Sequence, residues 1–430
     1  MIVTVFLGSF LAFLALGLPI AFALGLSGLA MAALIPGMTP VTAVTLFAQR
    51  MFVGVDAFVL LAVPLFILAG ALMEEGGTAI RLVNFASALV GRVRGGLAMV
   101  MVLTSMFFAG ITGSAVADTV AVGSVMLPAM KRKGYRMPWA AALQAGAGAL
   151  GPIIPPSILM VIYAVIANVS VASLFLGGFV PGILIGLGFM GLAWFEARRR
   201  GYAREEPVPL RDLPAQFWHA ILPLLMPLII LGGILSGVFT PTESASVAVA
   251  YACFIGVFVY RELTMRRVAR ILALTGLGTA RVMFLIAAAN FVGFLLAHQR
   301  VPQNLADALL ALTREPWIIL LMINVFLLIV GCFLEVSAAL IILGPVLIPV
   351  IAAAGIDPVH FGVVLVVNLC IGTITPPVGI CLYAVNAISG ESILAIGRAS
   401  LPVIAVMVAV LAFITYAPAS ILVVPRFFGY

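Results

Sequence analysis

Charged residues are scarce in this sequence. Of its 430 residues, 22 are lysine or arginine and 15 are aspartate or glutamate, so 9% of the chain is charged while 64% is hydrophobic. The mean hydropathy is +1.29. A chain with so few polar side chains cannot cover a water-soluble fold of this size. The composition therefore indicates an all-α protein that crosses a membrane several times.

The sequence also lacks the residue patterns of several enzyme classes. Its three histidines are scattered, and its four cysteines lie in apolar runs without the spacing of metal ligands. No phosphate-binding glycine loop and no nucleophile–base pair are visible. We therefore expect no cofactor and no transition metal, and the cysteines are interpreted as small buried hydrophobic residues. A membrane-embedded enzyme is the less favoured alternative.

The positive charge has a simple explanation in topology. The net charge of +7 comes from basic residues that cluster in short loops between apolar runs, where the positive-inside rule places them. We therefore expect no nucleic-acid partner. No charge precedes Arg50, and the start lacks the basic region of a cleavable signal peptide. The first apolar segment is expected to remain as a helix.

An apolar run from Trp139 to Val169 is interrupted where a membrane helix should continue. The interruption reads Gly-Pro-Ile-Ile-Pro-Pro-Ser over residues 151–157. Three prolines within five residues break a helix, because each removes a backbone N–H and its ring clashes one turn back. Broken backbone at membrane depth is tolerated only where it is buried in protein or lines a cavity. The pattern therefore predicts a binding site at the membrane midplane.

A second copy of this interruption follows at a fixed distance. Adding 221 to the numbering carries Gly151, Ile153, Pro155 and Pro156 onto glycine, isoleucine and two prolines within 372–377. The same shift aligns four further glycines and prolines. One ungapped offset of this kind predicts an internal repeat. Paired interruptions in two halves are typical of secondary transporters, with the site between the repeats.

Segment lengths predict how each repeat is built. We expect helices at 1–17, 20–35 and 56–73, and two hairpins whose arms are too short to cross, since about 20 residues are needed. Mixed polar and apolar residues in the segments before the hairpins are typical of interfacial helices. The predicted units are a first repeat over 1–195 (scaffold helices 1–76, interfacial arm 78–94, hairpin 97–130, broken helix 138–169), a cytoplasmic linker over 196–216, and a second repeat over 217–430 (scaffold helices 217–297, interfacial arm 299–314, hairpin 317–350, broken helix 358–388, final helix 400–424).

Loop charges predict that the two repeats are inverted. Basic residues at 131–133 and Arg136 follow the first hairpin, whereas the matching positions 352–354 and Asp357 carry no positive charge. The positive-inside rule then puts the hairpins on opposite faces of the membrane. Assigning the later loops to alternate sides in the same way gives about ten crossings and two hairpins, with every basic cluster in the cytoplasm.

Oxygen-rich residues at the breaks predict two sodium sites. Sodium suits unwound carbonyls with hydroxyls, next to the negative C-terminal ends of helices. The residues expected to form these sites are Thr112, Gly113, Ser114, Gly151, Ile154, Pro155, Glu335, Ser337, Gly372, Thr373, Thr375 and Pro376. The candidates for the substrate path are Asn290, Asn368, Asn386, Pro156 and Pro377. The alternative interpretation is that the prolines only kink helices and the amides only join them.

Two carboxylates at membrane depth are candidates for function, because burying them is costly. Asp118 lies just inside the second hairpin arm, and we expect it to cap a half-helix. Glu335 is left open between a cap and a functional group. Glu243 is expected to cap the helix that it begins.

These motifs resemble a known family. The string from Gly110 to Met130, the break at 151–157 and the segment from Gly372 to Gly379 are similar to the large membrane subunit of TRAP (tripartite ATP-independent periplasmic) transporters, and the resemblance runs essentially end to end. It implies an elevator-type transport domain, a sodium gradient as driving force and location in a bacterial or archaeal cytoplasmic membrane. It also implies a small four-helix membrane subunit and a periplasmic substrate-binding protein as partners. The implied substrate is an organic anion such as a C4-dicarboxylate or sialic acid.

Two other transport classes remain as alternatives. A self-sufficient sodium–dicarboxylate symporter of the related superfamily should carry Ser-Asn-Thr motifs at both hairpin tips, where this sequence has Thr-Gly-Ser and Leu-Glu-Val. An ion channel would not need two broken helices. The sequence does not give the identity of the substrate or the number of sodium ions.

Overall fold

Every regular element of the computed structural model is helical within the residues it describes, 2–202 and 213–430. The all-helical class predicted from the composition is thereby confirmed. The physical reason is that a bilayer core offers no water to the backbone, and a helix satisfies its own N–H and C=O groups.

The helices up to residue 202 include both arms of the first hairpin and both halves of the first broken helix. They are α1 (Ile2–Ala15), α2 (Ile20–Ala32), α3 (Pro40–Val55), a short 3₁₀ helix (Phe58–Leu61), α4 (Ala62–Glu75), α5 (Thr78–Val90), α6 (Gly96–Thr112), α7 (Ala115–Arg132), α8 (Met137–Gly148), α9 (Ile158–Ala167) and α10 (Val171–Arg200).

The helices from residue 213 onward include the second hairpin and the second broken helix. They are α11 (Leu213–Leu235), α12 (Pro241–Phe254, continued by a π-helical segment, Ile255–Val259), α13 (Met265–His298), α14 (Val301–Leu312), α15 (Pro316–Gly331), α16 (Val336–Ala353), α17 (Pro358–Gly372), α18 (Ile380–Ser389), α19 (Ile393–Ala399), α20 (Leu401–Tyr416) and α21 (Ala419–Phe427).

The offset of 221 residues reappears in the helices themselves. Shifting α7 by 221 gives the bounds of α16, and shifting α8 and α9 gives segments that differ from α17 and α18 by a few residues at most. Both breaks contain a cis Pro-Pro bond, Pro155–Pro156 and Pro376–Pro377. The repeat predicted from glycine and proline positions is therefore matched by a repeat of helices.

The helix α3 was not expected from the apolar pattern. The Thr39 hydroxyl accepts a hydrogen bond from the Thr42 N–H, and Pro40 occupies the first helical position. Both are start signals, since a threonine cap satisfies a free N–H and proline has none to satisfy. The second half has one 34-residue helix, α13, where the first half has α3 and α4 separated at Asp56.

The expected linker is partly helical. Helix α10 continues to Arg200, where the Glu196 carboxylate accepts a hydrogen bond from Arg200 one turn later, and α11 already begins at Leu213. Residues 203–212 of the expected linker lie outside the described residues. The expected cap at Glu243 is confirmed, because its carboxylate accepts from the Thr240 N–H at 2.8 Å while Thr240 accepts from the Glu243 N–H.

The two repeats pack on each other reciprocally. The hairpin arm α7 packs against α18 of the second repeat, and its counterpart α16 packs against α9 of the first. Each hairpin also packs on the first half of its own broken helix, α8 or α17. The consequence is one buried core that contains both hairpins and both breaks.

A second group of helices surrounds this core. Helix α13 packs against α2, α3 and α4, and α12 packs against α4. The segments α5 and α14 join this group to the hairpins, and the apolar residues of each share one face.

By length and composition, five described helical segments are long and apolar enough to cross a membrane. The number rises to as many as seven if each sharply bent pair is counted as one crossing. The bent pairs are α18 with α19, at 116°, and α20 with α21, at 66°. The expected final helix over 400–424 is therefore bent near Ala417. Helices such as α1 and α2 have fewer than the roughly 20 residues needed for a full crossing.

Candidate functional site

The tips of the two hairpins meet at one cavity. It has a volume of about 320 Å³ and is lined by residues 112–117 of the first tip and 335–337 of the second. The opposite wall comes from α4, through Gly70 and Glu74, and from α13, through Gly278 and Val282. The cavity therefore lies between the hairpin core and the surrounding helices.

Four helices begin at this cavity. The first residues of α7, α9, α16 and α18, which are Ala115, Ile158, Val336 and Ile380, all line it. Each N-terminus carries free N–H groups and an effective charge of roughly +0.5. Four such ends together amount to about +2. The backbone alone therefore makes this cavity suitable for an anion.

Side chains add negative charge to the same cavity. Glu74 and Glu335 line it, and its described lining includes no lysine, arginine or histidine. Glu335 is the cap of α16: its carboxylate accepts from the Ala338 N–H at 3.0 Å and from the Ser337 hydroxyl at 2.9 Å. It therefore both caps a helix and faces the cavity, which answers the question that the sequence left open.

The first hairpin tip is stabilised by its own side chains. Ser114 caps α7 by accepting from the Ala117 N–H, and the Thr112 hydroxyl donates to Asp118 Oδ1. The prediction that Asp118 caps the helix was wrong. The cap is Ser114, and Asp118 lies one turn further on, beyond the N–H groups that a cap reaches.

Asp118 is fully buried, and its second oxygen, Oδ2, has no hydrogen-bond partner. A Cβ atom placed on Gly151 would lie 2.5 Å from this oxygen and 2.8 Å from the Ser114 carbonyl oxygen. Only glycine fits there. Two negatively polarised oxygens thus face the start of the first break with no donor between them. Such an arrangement fits a small cation, because a buried carboxylate oxygen is costly when unpaired.

The second break lies directly against the second hairpin. A Cβ atom on Gly372 would lie 2.2 Å from the Gly331 carbonyl oxygen, so the two backbones touch. A small cavity of about 10 Å³ is lined here by both glycines together with Thr373 and Glu335. This is about the space of one water molecule or one ion. The last residues of α15 and α17 line it together with the first residues of α16 and α18, so negative helix ends, positive helix ends and the Glu335 carboxylate meet there.

Some predicted sodium ligands lie elsewhere. Ile154 packs against Gly182 of α10, and Pro376 packs against Gly397 of α19. The Thr375 hydroxyl donates to the Ile371 carbonyl at 2.7 Å. None of these three lines either cavity. Pro155 and Pro156 stay close to the first tip through their carbonyl oxygens, at 3.5 Å and 2.7 Å from Cβ positions built on Gly110 and Gly113.

The asparagines predicted for the substrate path do not line the cavity, and one of them, Asn368, joins two helices. Asn368 donates to the side chain of Asn324 at 2.8 Å, and Asn324 donates to Thr415 at 3.0 Å. Asn386 donates to the Glu391 carbonyl, and Asn290 lies against Gly54 of α3. Pro377 is exposed and is not among the cavity residues.

Sequence reasoning missed Glu74 and Gly70. Glu74 was taken as the end of a helix, because it is followed by a second glutamate and two glycines. The signal that could have found it is its position at the end of an apolar run, because an ionisable residue beside a membrane segment is a candidate for function. Gly70 gives no signal in the sequence beyond its small size.

Known proteins match this chain over nearly its whole length. The model of the family described as tripartite ATP-independent periplasmic transporter, DctM component, matches residues 7–420. The isethionate TRAP transporter permease protein DctMQ of Oleidesulfovibrio alaskensis is 42% identical over 99% of this chain, which spans 66% of that relative.

Two other relatives are separate large permeases. The C4-dicarboxylate TRAP transporter large permease protein DctM of Pseudomonas aeruginosa is 42% identical and covers 89% of this chain and 90% of its own length. The sialic acid TRAP transporter large permease protein SiaM of Vibrio cholerae is 40% identical, with 96% of both chains covered. The substrate in each name is the substrate of that relative.

Solved structures share the fold at much lower identity. The crystal structure of the YdaH transporter of Alcanivorax borkumensis has a TM-score of 0.65 and 16% identity, and the match covers 93% of this chain and 98% of that one. The likeness concerns the fold alone.

Proposed function

Because this chain belongs to the DctM family, the large permease components of tripartite ATP-independent periplasmic (TRAP) transporters, we propose that it carries an organic anion across the cytoplasmic membrane of a bacterium or archaeon, driven by a sodium gradient. Membership in this family makes it a multi-pass membrane transporter subunit. The substrate class, the coupling ion and the type of motion belong to the proposal.

The observation that carries the proposal is the meeting of four helix N-termini at one cavity. In broken-helix transporters such ends bind the anionic group of the substrate, while helix C-termini and unwound carbonyls bind the coupling cation. Here four helix N-termini line the larger cavity, and the C-termini of α15 and α17 line the smaller one together with the first residues of α16 and α18. The named substrates of the relatives, isethionate, C4-dicarboxylates and sialic acid, are all anions.

We place one sodium ion at each break. The first would be bound by Asp118 Oδ2 and the Ser114 carbonyl beside Gly151, and the second by backbone at Gly331 and Gly372 with Thr373. Both lie behind the hairpin tips that line the larger cavity. A cation at either place would hold a tip in position and offset nearby negative charge. Sodium and substrate would then stabilise the same arrangement of the tips, which is what coupling requires.

We propose an elevator motion with the hairpin core as the moving part. The core contains α6 to α9 and α15 to α18, and the arms α5 and α14 connect it to the other helices. The static wall of the larger cavity includes the small residues Gly70 and Gly278, and Gly70 lies directly against Thr112 of the first tip. Small residues let helices slide past each other without interlocking side chains.

Two partners complete the proposal. A small four-helix membrane subunit would pack on the helices around the core, and a periplasmic binding protein would deliver the substrate. The name DctMQ for a longer relative, of which this chain spans 66%, supports a second membrane subunit. The lipid bilayer would contact the helix surfaces that these two proteins leave uncovered.

Reconstitution in liposomes tests the proposal. The chain, its small subunit and its binding protein are combined, and labelled isethionate, succinate and sialic acid are offered under imposed gradients. We expect uptake of one of these anions with an inward sodium gradient and without ATP. Uptake that persists unchanged with sodium absent on both sides, or that requires ATP, would contradict the proposal. Uptake without the binding protein would favour a self-sufficient symporter.

A further inference from the structure

The charge in the larger cavity is not sufficient to select an anion. Its four helix N-termini contribute about +2, and the two carboxylates that line it, Glu74 and Glu335, offset this when they are ionised. The helix ends can then orient the anionic group of a substrate, but the net attraction of the cavity for a negative charge is small. A further positive charge is needed, and none of the described lining residues supplies one.

Arg281 is the basic residue closest along the chain to the cavity. It lies in α13 between Gly278 and Val282, and both of these line the cavity. No other lysine or arginine is within one helical turn along the chain of a lining residue. Arg281 is not itself a lining residue, but its long side chain starts from the position next to Val282.

The surroundings of Arg281 give no other reason for its charge. It is exposed, and no hydrogen bond or ion pair joins it to another residue in the part of the chain that is described. It lies near the middle of an apolar helix of 34 residues. An unpaired guanidinium at that depth is costly, and such residues are retained where they meet a substrate or a partner.

The internal repeat offers a comparison. The residue 221 positions earlier is Leu60, which is 2% exposed and packs in the core. The fold therefore accepts an apolar side chain at the equivalent place in the first repeat. The positive charge belongs to the second repeat alone, on the wall that faces the hairpin tips.

We propose that Arg281 determines the specificity of the cavity for anions, by presenting the positive charge to which a carboxylate or sulfonate of the substrate binds. The planar guanidinium can donate two parallel hydrogen bonds to either group. This inference rests on the proposed function, in that the cavity is taken as the substrate site. Arg281 is on the static wall, so the contact is made in the state in which the hairpin tips lie beside α13.

Charged thiol reagents test the electrostatic claim without any substrate or sodium gradient. Val282→Cys places a thiol in the cavity lining, next to Arg281. The full chain with its small subunit is treated in proteoliposomes with 2-sulfonatoethyl methanethiosulfonate, which is an anion, and with its trimethylammonium analogue, which is a cation. The rate ratio of anionic to cationic reagent is measured, and protein without the added cysteine gives the background.

We expect Arg281→Gln to lower this ratio about tenfold, because one positive charge is removed close to the thiol. Arg281→Lys should keep most of it. Arg270→Gln is the matched control, since Arg270 is exposed on the same helix about 16 Å further toward its N-terminus. An unchanged ratio in Arg281→Gln, or an equal fall in Arg270→Gln, overturns the proposal.

A transport measurement then reports on specificity. For whichever of isethionate, succinate or sialic acid the wild-type protein takes up, Arg281→Gln should raise KM about 10- to 100-fold, the usual cost of losing a charged hydrogen bond. The half-saturating sodium concentration, measured with the substrate at the same multiple of each variant's KM, should stay the same. Loss of copurification with the small subunit, together with an unchanged reagent ratio, would mean that Arg281 belongs to a subunit interface and would overturn the inference. Failure of sodium-driven uptake in the wild type would affect only the proposed function.

Discussion

The Thr112 hydroxyl donates a hydrogen bond to Oδ1 of the fully buried Asp118 and leaves Oδ2 without a partner. These two residues frame the turn of the first hairpin, and the unpartnered oxygen points toward Gly151 at the first break. The first hairpin tip and the first broken helix therefore approach each other at the Asp118 carboxylate. In the proposed function, this is the place where sodium binding would be coupled to the position of the tip.

Replacing Asp118 tests this point. Asp118→Asn keeps the size and removes the charge, so a cation held by Oδ2 should bind more weakly. We expect the sodium concentration for half-maximal uptake to rise by about one to two decades, which is the loss of one charged contact. Uptake is measured against sodium at fixed substrate.

The control for this change is Asp357→Asn. Asp357 caps α17, where asparagine caps equally well, and its side chain accepts from the Val359 and His360 N–H groups. The Asp357→Asn variant should therefore show the sodium dependence of the wild type. An unshifted sodium curve in Asp118→Asn would remove Asp118 from the sodium site.

The hydroxyls of Ser114 and Thr375 give a second prediction. Ser114→Ala is expected to raise the sodium requirement by about one decade, because the change is made on the residue whose carbonyl is a proposed sodium ligand. Thr375→Val should leave the sodium requirement unchanged, because the Thr375 hydroxyl donates to the Ile371 carbonyl and lines neither cavity. Sodium-dependent uptake is measured, with surface expression and small-subunit association as checks.

Ser114 also caps α7, so the loss of a cap must be separated from the loss of a ligand. Ser392→Ala removes the same kind of cap from α19, where Ser392 accepts from the Ala395 N–H. Losing a cap costs about 0.5–2 kcal/mol of stability wherever it occurs. If Ser114→Ala and Thr375→Val both show wild-type sodium dependence, the sites are built from carbonyls and Asp118, and the hydroxyls only complete backbone hydrogen bonding.

Gly70 tests the sliding contact. A Cβ atom at Gly70 would lie 3.1 Å from the Thr112 Cα, whereas a Cβ atom at Gly278, on the same cavity wall, would meet nothing within 4 Å. Gly70→Val should therefore slow transport at least tenfold, while Gly278→Ala should have little effect. Both proteins should fold, because alanine and valine are accepted in helices. Equal transport rates in the two variants would argue against motion at this contact.

The inverted topology predicts opposite labelling of two loops. A cysteine at Lys133 should react with membrane-impermeant reagents only from the cytoplasm, and a cysteine at Ala354 only from the periplasm. The two positions are 221 residues apart and end equivalent helices, α7 and α16. Labelling of intact cells and of inverted vesicles distinguishes the faces. Reaction of both cysteines from one face would contradict the inversion.

The sequence by itself determined the class, the repeat and the position of each break. Scarce charge excludes a soluble fold, and three prolines in five residues end a helix whatever surrounds them, because the missing N–H and the ring clash are local. The predicted break at 151–157 therefore falls between α8 and α9, and its copy falls between α17 and α18. Glu243 was found as a cap for the same reason, since a capping box is complete within four residues.

Only the tertiary structure decided which of these local features meet. Whether Asp118 caps a helix or faces Gly151, and whether Asn368 lines a path or bonds Asn324, depends on partners that are 33 and 44 residues away along the chain. Glu74 and Gly70 become part of a site only because α4 packs beside the first hairpin tip. Local rules fix where a helix starts or stops, but the burial and pairing of a side chain depend on contacts between distant segments, which the order of residues does not display.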